Sequence, residues 1–164
     1  MLCPTRELAD QVAVEIRRLA RASENIKVVT LCGGIALRGQ RASLENGAHI
    51  VVGTPGRIMD HLERGYLTLE GLNTLVLDEA DRMLDMGFVH DMRYLMSLMP
   101  ENRQTLFFSA TMAGEIAKLT HQFLKNPVSI SVKTRETSKN IEQDVVNVRG
   151  GNKIDTARVA SVPV

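Results

Sequence analysis

The sequence predicts an α/β fold, a mostly parallel sheet with helices on both faces. Two observations carry this expectation. Short β-rich runs alternate with runs whose apolar residues recur at helical spacing. The stops agree with the starts, since glycine or proline stands where helical runs must end. Strand, helix, strand repeated in this way implies parallel strands joined by crossovers, and ligands of such sheets gather at the carboxyl edge.

The elements follow in order. Met1–Cys3 reads as a strand stub, and Leu8, Val12, Ile16 and Leu19 mark a helix facing the sheet. Strands follow at Lys27–Leu31 and His49–Val52, then a helix from Pro55 to Arg64 that stops at Gly65. Thr74–Leu77 is the next strand. Val89, Met92, Met96 and Met99 form a stripe closed by Pro100. An adaptable binding surface is one reading of those methionines, but their spacing favours core, where methionine fills gaps. Gln104–Phe108 is a strand, Ile116, Leu119 and Phe123 mark a helix, and Pro127 separates it from a last strand, Val128–Val132. Residues 1–132 thus form one domain. Residues 133–142 turn polar and read as a linker, and 143–164 hold a possible strand at Gln143–Val148 with too little beyond it to bury a core.

Composition narrows the function classes. With 44% hydrophobic and 24% charged residues, a 164-residue chain can build a real core. A net charge of +1 and 4% aromatics exclude a bulk basic surface or base-stacking platform, so any nucleic-acid site is local. Two cysteines, Cys3 and Cys32, are too few for a disulfide framework and suit a reducing compartment. The four histidines are scattered singly, without the clustering of zinc ligands. No apolar stretch approaches the roughly 20 residues that span a bilayer, and no signal-like segment follows Met1, so a cytoplasmic protein is expected.

The segment "TLVLDEADRMLDMGF" runs from an apolar strand into Asp78, Glu79 and Asp81. Carboxylates fixed at a sheet edge can hold Mg²⁺ through its water shell and accept a proton from an attacking water. Acidic residues also simply favour a helix N-terminus, and both readings stand on these letters. In "FFSAT" a second strand ends in Ser109 and Thr111, which can hydrogen-bond to Asp81 if the strands are neighbours, or can cap a helix beginning near Met112. A Walker-type phosphate loop needs G-x-x-x-x-G-K-[ST]. Only Gly34–Arg41, "GIALRGQR", has the glycine spacing, and it places Gln40 where lysine belongs and Arg41 where the hydroxyl belongs, so it is rejected.

Three turns suit a sugar-phosphate chain. Thr54 and Pro55 of "TPGR" open a helix whose first amides, with Gly56 and Arg57, favour an anion. Thr5 of "PTRELA" opens another beside Arg6, and Gly33 and Gly34 let a ligand approach the main chain. Such an array grips a backbone without reading bases.

"PTRELA", Gly33-Gly34, "TPGR", "DEAD" and "SAT", in this order and spacing, closely resemble the first RecA-like domain of DEAD-box ATP-dependent RNA helicases, a P-loop NTPase type of fold. The likeness extends to about Pro127 and more faintly through "IEQDVVNV" and Lys153–Asp155, and Asp81 in place of histidine favours the DEAD-box group over its DEAH-type relatives. The resemblance implies a machine that clamps RNA between two such domains when ATP is bound, bends it, and releases it after hydrolysis. It implies that Asp78 coordinates Mg²⁺ through water, Glu79 activates the hydrolytic water, and Asp81, Ser109 and Thr111 couple nucleotide state to RNA. It places Thr5, Arg6, Gly33, Gly34, Thr54, Gly56 and Arg57 along the RNA backbone.

The family also has an adenine-reading Q motif and a phosphate-loop lysine upstream of "PTRELA", and a second domain with an arginine finger. Here Met1 stands three residues before Pro4, so the expectation is a fragment lacking its phosphate-loop strand and helix, with residues 143–164 a remnant of the second domain. ATP and Mg²⁺ are expected for the parent, with weak or absent binding and little turnover by this chain. The alternative is a non-enzymatic RNA-binding or interaction module. An α/β phosphatase with Asp78 as nucleophile is disfavoured, because its D-x-D arrangement meets Ala80.

Overall fold

The structure is a computed structural model that describes residues 1–112 and 114–132. The expected linker at 133–142 and the 143–164 segment lie outside the described residues. Two units divide the chain, Met1–Pro127 and Val128–Val164, and every helix and strand named here lies in the first.

Four strands, β1 (Val28–Leu31), β2 (Ile50–Gly53), β3 (Thr74–Leu77) and β4 (Gln104–Phe107), form two parallel pairs, β1 with β2 and β3 with β4. The Met1–Cys3 stub joins them. Leu2 bridges Gly53 on one side and Leu77 on the other, both in parallel. Its amide donates to the Val76 carbonyl (2.8 Å) and its carbonyl accepts from the Asp78 amide (3.0 Å). Towards β2, Cys3 donates to the Gly53 carbonyl and Gly53 to the Met1 carbonyl, both at 3.0 Å. The lateral order is therefore β1, β2, stub, β3, β4, and every carboxyl end lies on one rim.

Helices cover both faces, as the crossovers require. On one face α1 (Arg6–Ala20) buries Ala9 and Ala13 in a small cluster with Cys3, Cys32 and Val52. The stripe ends at Ile16; Leu19, expected to face the sheet, is 76% exposed because the helix runs past the strand ends. A larger cluster on Leu31, Leu75 and Leu77 takes Ile58 from α3 (Pro55–Glu63), Met83 from α4 (Ala80–Asp85) and Met92, Leu95 and Met96 from α5 (Val89–Ser97). The methionine stripe is core. Each fully buried leucine there contributes about 1.5–3 kcal/mol relative to exposure. The remaining helices are α2 (Leu37–Glu45) and α6 (Glu115–Phe123), the latter burying Ile116 and Leu119.

One expected strand is corrected. Among the described residues Val128–Val132 joins no ladder, and Val128, Ile130 and Val132 are 88%, 85% and 85% exposed. Alternating β-branched residues favour extended backbone, but a strand needs a partner edge, and β4 pairs only with β3 among the described residues. Two helices carry no sequence signal that the apolar period could reveal. α2 is polar along most of its length, and α4 has only six residues.

Candidate functional site

Because all strands run the same way, every residue singled out from the sequence comes to one rim. Across it stand Gly33-Gly34 after β1, Thr54–Arg57 after β2, Thr5–Arg6 after the stub, Asp78–Asp81 after β3 and Ser109–Thr111 after β4. Four strand spacings make this row about 19 Å wide. The rejected "GIALRGQR" segment leaves β1, at the far edge from Asp78, and its Arg41 pairs with Glu45 (2.7 Å) and lies over the Tyr66 ring (4.8 Å).

The acidic end is built by β3 and β4 together. Leu75 and Leu77 are buried anchors, so the half-buried Asp78 and Glu79 emerge at a fixed point. The Ala80 amide donates to the Phe108 carbonyl (3.0 Å), joining the two strand-end turns. Glu79 sits in the left-handed region (φ 49°, ψ 51°), a conformation that costs a non-glycine residue about 1–2 kcal/mol and that collects at functional turns. Its carboxylate pairs with Arg82 at 3.2 Å, a partner the sequence did not suggest.

Asp81 stands in the first turn of α4 and accepts from the Thr111 amide (3.0 Å) and hydroxyl (3.3 Å), thirty residues away. Partial burial pushes its pKa up, but the Arg82 and Thr111 amides and the Ser109 and Thr111 hydroxyls outweigh this and hold the carboxyl below its ordinary range. The Ser109 hydroxyl, beside the Asp81 carboxylate, makes its short bond to the Thr111 carbonyl (2.6 Å), bracing the turn that presents Thr111. Neither hydroxyl caps the following helix, whose N-cap is Gly114.

At the other end, Thr5 caps α1 by accepting from the Leu8 amide (3.3 Å), and Thr54 occupies the N-cap of α3 without a side-chain capping bond. Gly56 is exposed, and the first amides of α3 have no intrahelical partner. Gly34 has φ +76°, and a Cβ there would come within 2.9 Å of an Arg6 guanidinium nitrogen, so two sequence-distant turns meet. Arg57, expected to add its charge to this anion-favouring turn, is largely withdrawn from solvent. Its side chain is only 16% exposed and donates to the Ile35 carbonyl and to Gln40 Oε1, both at 3.0 Å.

The donor set fits Mg²⁺ as an oxygen-seeking ion that keeps several waters and takes only one or two carboxylates. Asp78 Oδ1 accepts from the Glu79 amide (3.1 Å), and no group of three or more His, Cys, Asp or Glu side chains forms a metal cage among the described residues. No helix among those residues is long and apolar enough to cross a membrane.

Comparison with known proteins agrees with this geometry. The DEAD/DEAH box helicase family pattern matches residues 1–119. The chain is 49% identical to the ATP-dependent RNA helicase DbpA of Escherichia coli over 154 residues, covering 94% of this chain and 34% of that protein. It is 45% identical to the DEAD-box ATP-dependent RNA helicase CshA of Streptococcus pneumoniae over 157 residues, covering 95% and 30%. The chain thus spans about a third of the length of these relatives. Among solved structures, a DEAD box protein from the hyperthermophile Methanococcus jannaschii superposes with a TM-score of 0.72 at 46% identity, over 76% of this chain and 34% of that one. The yeast DEAD-box splicing factor Prp28 gives 0.75 at 37% identity, over 81% and 32%.

Proposed function

Because this chain belongs to the DEAD/DEAH box helicase family, we propose that it carries part of the core of a cytoplasmic ATP-dependent RNA helicase, coupling ATP hydrolysis to local RNA strand separation. Asp78 holds Mg²⁺ through water, and bound Mg²⁺ spreads the charge of the phosphate oxygens. Glu79 accepts the proton of the hydrolytic water. Thr5, Arg6, Gly33, Gly34, Thr54 and Gly56 hold the RNA sugar-phosphate chain without regard to sequence, and Arg57 shapes that grip from within. A second RecA-like domain is the partner that closes over both ligands. The observation that supports the reading most is the Asp81–Thr111 contact, which ties the acidic turn to the turn after β4.

The 164-residue chain is expected to turn over little or no ATP with RNA present, since no G-K-[ST] loop occurs in it and Gln40 of the glycine-spaced segment is buried. Robust hydrolysis that Glu79→Gln abolishes would overturn that expectation.

A second reading, an RNA-backbone grip working without hydrolysis, is favoured by the contact already formed between Arg6 and the Gly34 turn. It predicts sequence-tolerant, nucleotide-independent RNA binding that weakens with salt and loses about one unit of log–log salt slope in Arg6→Ala. Absence of binding even at low salt sinks it.

A further inference from the structure

Gln40 is 5% exposed on a helix whose neighbours are mostly solvated. A buried amide is costly unless its groups are bonded, and here three bonds are made. Its Nε2 donates to the Cys32 carbonyl (2.8 Å), and its Oε1 faces Arg57 Nη1 (3.0 Å) and His61 Nε2 (2.9 Å). Arginine only donates, so the Gln40 atom facing it must be the oxygen, and His61 must then carry its proton on Nε2. His61 is fully buried, and its Nδ1 has no partner among the described residues.

The same contacts clamp the Gly33-Gly34 turn from both flanks. Gln40 holds the carbonyl just before it, Cys32, and Arg57 holds the carbonyl just after it, Ile35. Gly33 itself adds little restraint, for a Cβ there would meet nothing within 4 Å. A turn of two glycines is otherwise the most freely moving backbone available. Arg57 and His61 belong to α3, whose N-terminus is the neighbouring turn. We propose that Gln40 is a positioning residue for RNA binding: it locks the Gly33-Gly34 turn to the start of α3, so that two backbone-holding turns act as one rigid surface. This rests on the RNA-grip reading above.

The test combines NMR relaxation of the backbone amides with fluorescence-anisotropy titration of a labelled single-stranded RNA across a salt series, using the 164-residue chain, Gln40→Leu, Gln40→Glu and Arg6→Ala. Gln40→Leu removes every Gln40 bond at similar volume. Gln40→Glu keeps acceptors for Arg57 and His61 but loses the donor to Cys32, and serves if the leucine variant does not fold. In the free chain the Gly33, Gly34 and Ile35 amides should have order parameters of about 0.85, and either folded variant should lower them below about 0.6 with β3 unchanged. RNA affinity should fall about tenfold at unchanged salt slope, because no phosphate-contacting cation is lost, whereas Arg6→Ala lowers the slope. A residue that only stabilised the fold would lower the unfolding midpoint and leave the folded chain's affinity alone. Unchanged order parameters at the three amides overturn the clamp. Lowered order parameters with RNA affinity within twofold of wild type overturn its role in binding, and so does a slope loss like that of Arg6→Ala. If wild type shows an ordered turn that the variants loosen but binds no RNA at low salt, the RNA-grip reading itself has failed, and the positioning role falls with it.

Discussion

Gly53 offers a sharp test of how the rim is assembled. It is buried in β2, its amide and carbonyl are both bonded to the stub, and an ideal Cβ placed on it stands 2.2 Å from the Leu31 carbonyl oxygen and 3.1 Å from the Leu31 carbonyl carbon and Cβ. Relief in Gly53→Ala needs about 1 Å of separation from main chain that cannot rotate away as a side chain would. Since β2 is pinned on its other side by Met1 and Cys3, the end of β1 must move. That motion stretches the Thr54 amide bond to Leu31 O, now 3.1 Å, past hydrogen-bonding range. Overpacking costs about 1–3 kcal/mol and the lost bond about 1 kcal/mol, giving about 2–4 kcal/mol in all. With a urea m-value of about 2 kcal/mol/M, the midpoint should fall by about 1–2 M. Exchange of the Thr54 amide should quicken in parallel. A midpoint within about 0.25 M of wild type, with Thr54 still protected, would refute the close approach.

Asp81→Ala should cost only about 0.5–1.5 kcal/mol in urea unfolding, as the contact is largely exposed, yet it should deprotect the Thr111 amide selectively. The Asp81 carboxyl lies below its ordinary range, so the Thr111 bonds are intact above the unfolded pKa and are lost as pH falls through the lower folded value; amide chemical shifts across that acid range will show it. Burial, then the Arg57 charge, lowers the His61 pKa, so the unfolded state binds its proton first and stability should drop as pH falls from about 6.5 towards the folded value, a dependence that His61→Gln should flatten. Burial, then the Asp78 charge, pushes the Cys3 thiol up to about 12, and burial raises Cys32 too. Neither should be alkylated by iodoacetamide at pH 8 until urea is added, when mass spectrometry should find both modified.

What could be read from sequence was what local chemistry encodes. The strand ending at Leu77, the cap at Thr5 and the proline-started helix after Thr54 are each specified within a few residues, so their positions stood within one or two residues of the structure. The methionine stripe was likewise legible, because helical spacing alone puts Met92 and Met96 on one buried face. Long-range properties were hidden. Gln40 is one polar letter in a polar helix, and only the meeting of α2, α3 and the residue after β1 makes it a buried bridge. Gly53 looks like any strand-end glycine until Leu31 is placed beside it. The burial of Arg57 is hidden because its acceptors, Ile35 and Gln40, are about twenty residues away in sequence. The left-handed Glu79 carries no signal at all, since glycine or asparagine ordinarily announces that backbone.

The placement of Leu2 gives the sheet a waist. Between the pairs on either side runs a single strip of main chain three residues long, and among the described residues the ladder hydrogen bonds that join one bank of the rim to the other pass through it. Thr5 and Arg6 grow directly from that strip, with the acids to one side and the glycine turns to the other. Prying the strip away would therefore sever the ladder between acids and glycines, while the shared core of Leu31, Leu75 and Leu77 would still hold the two banks together.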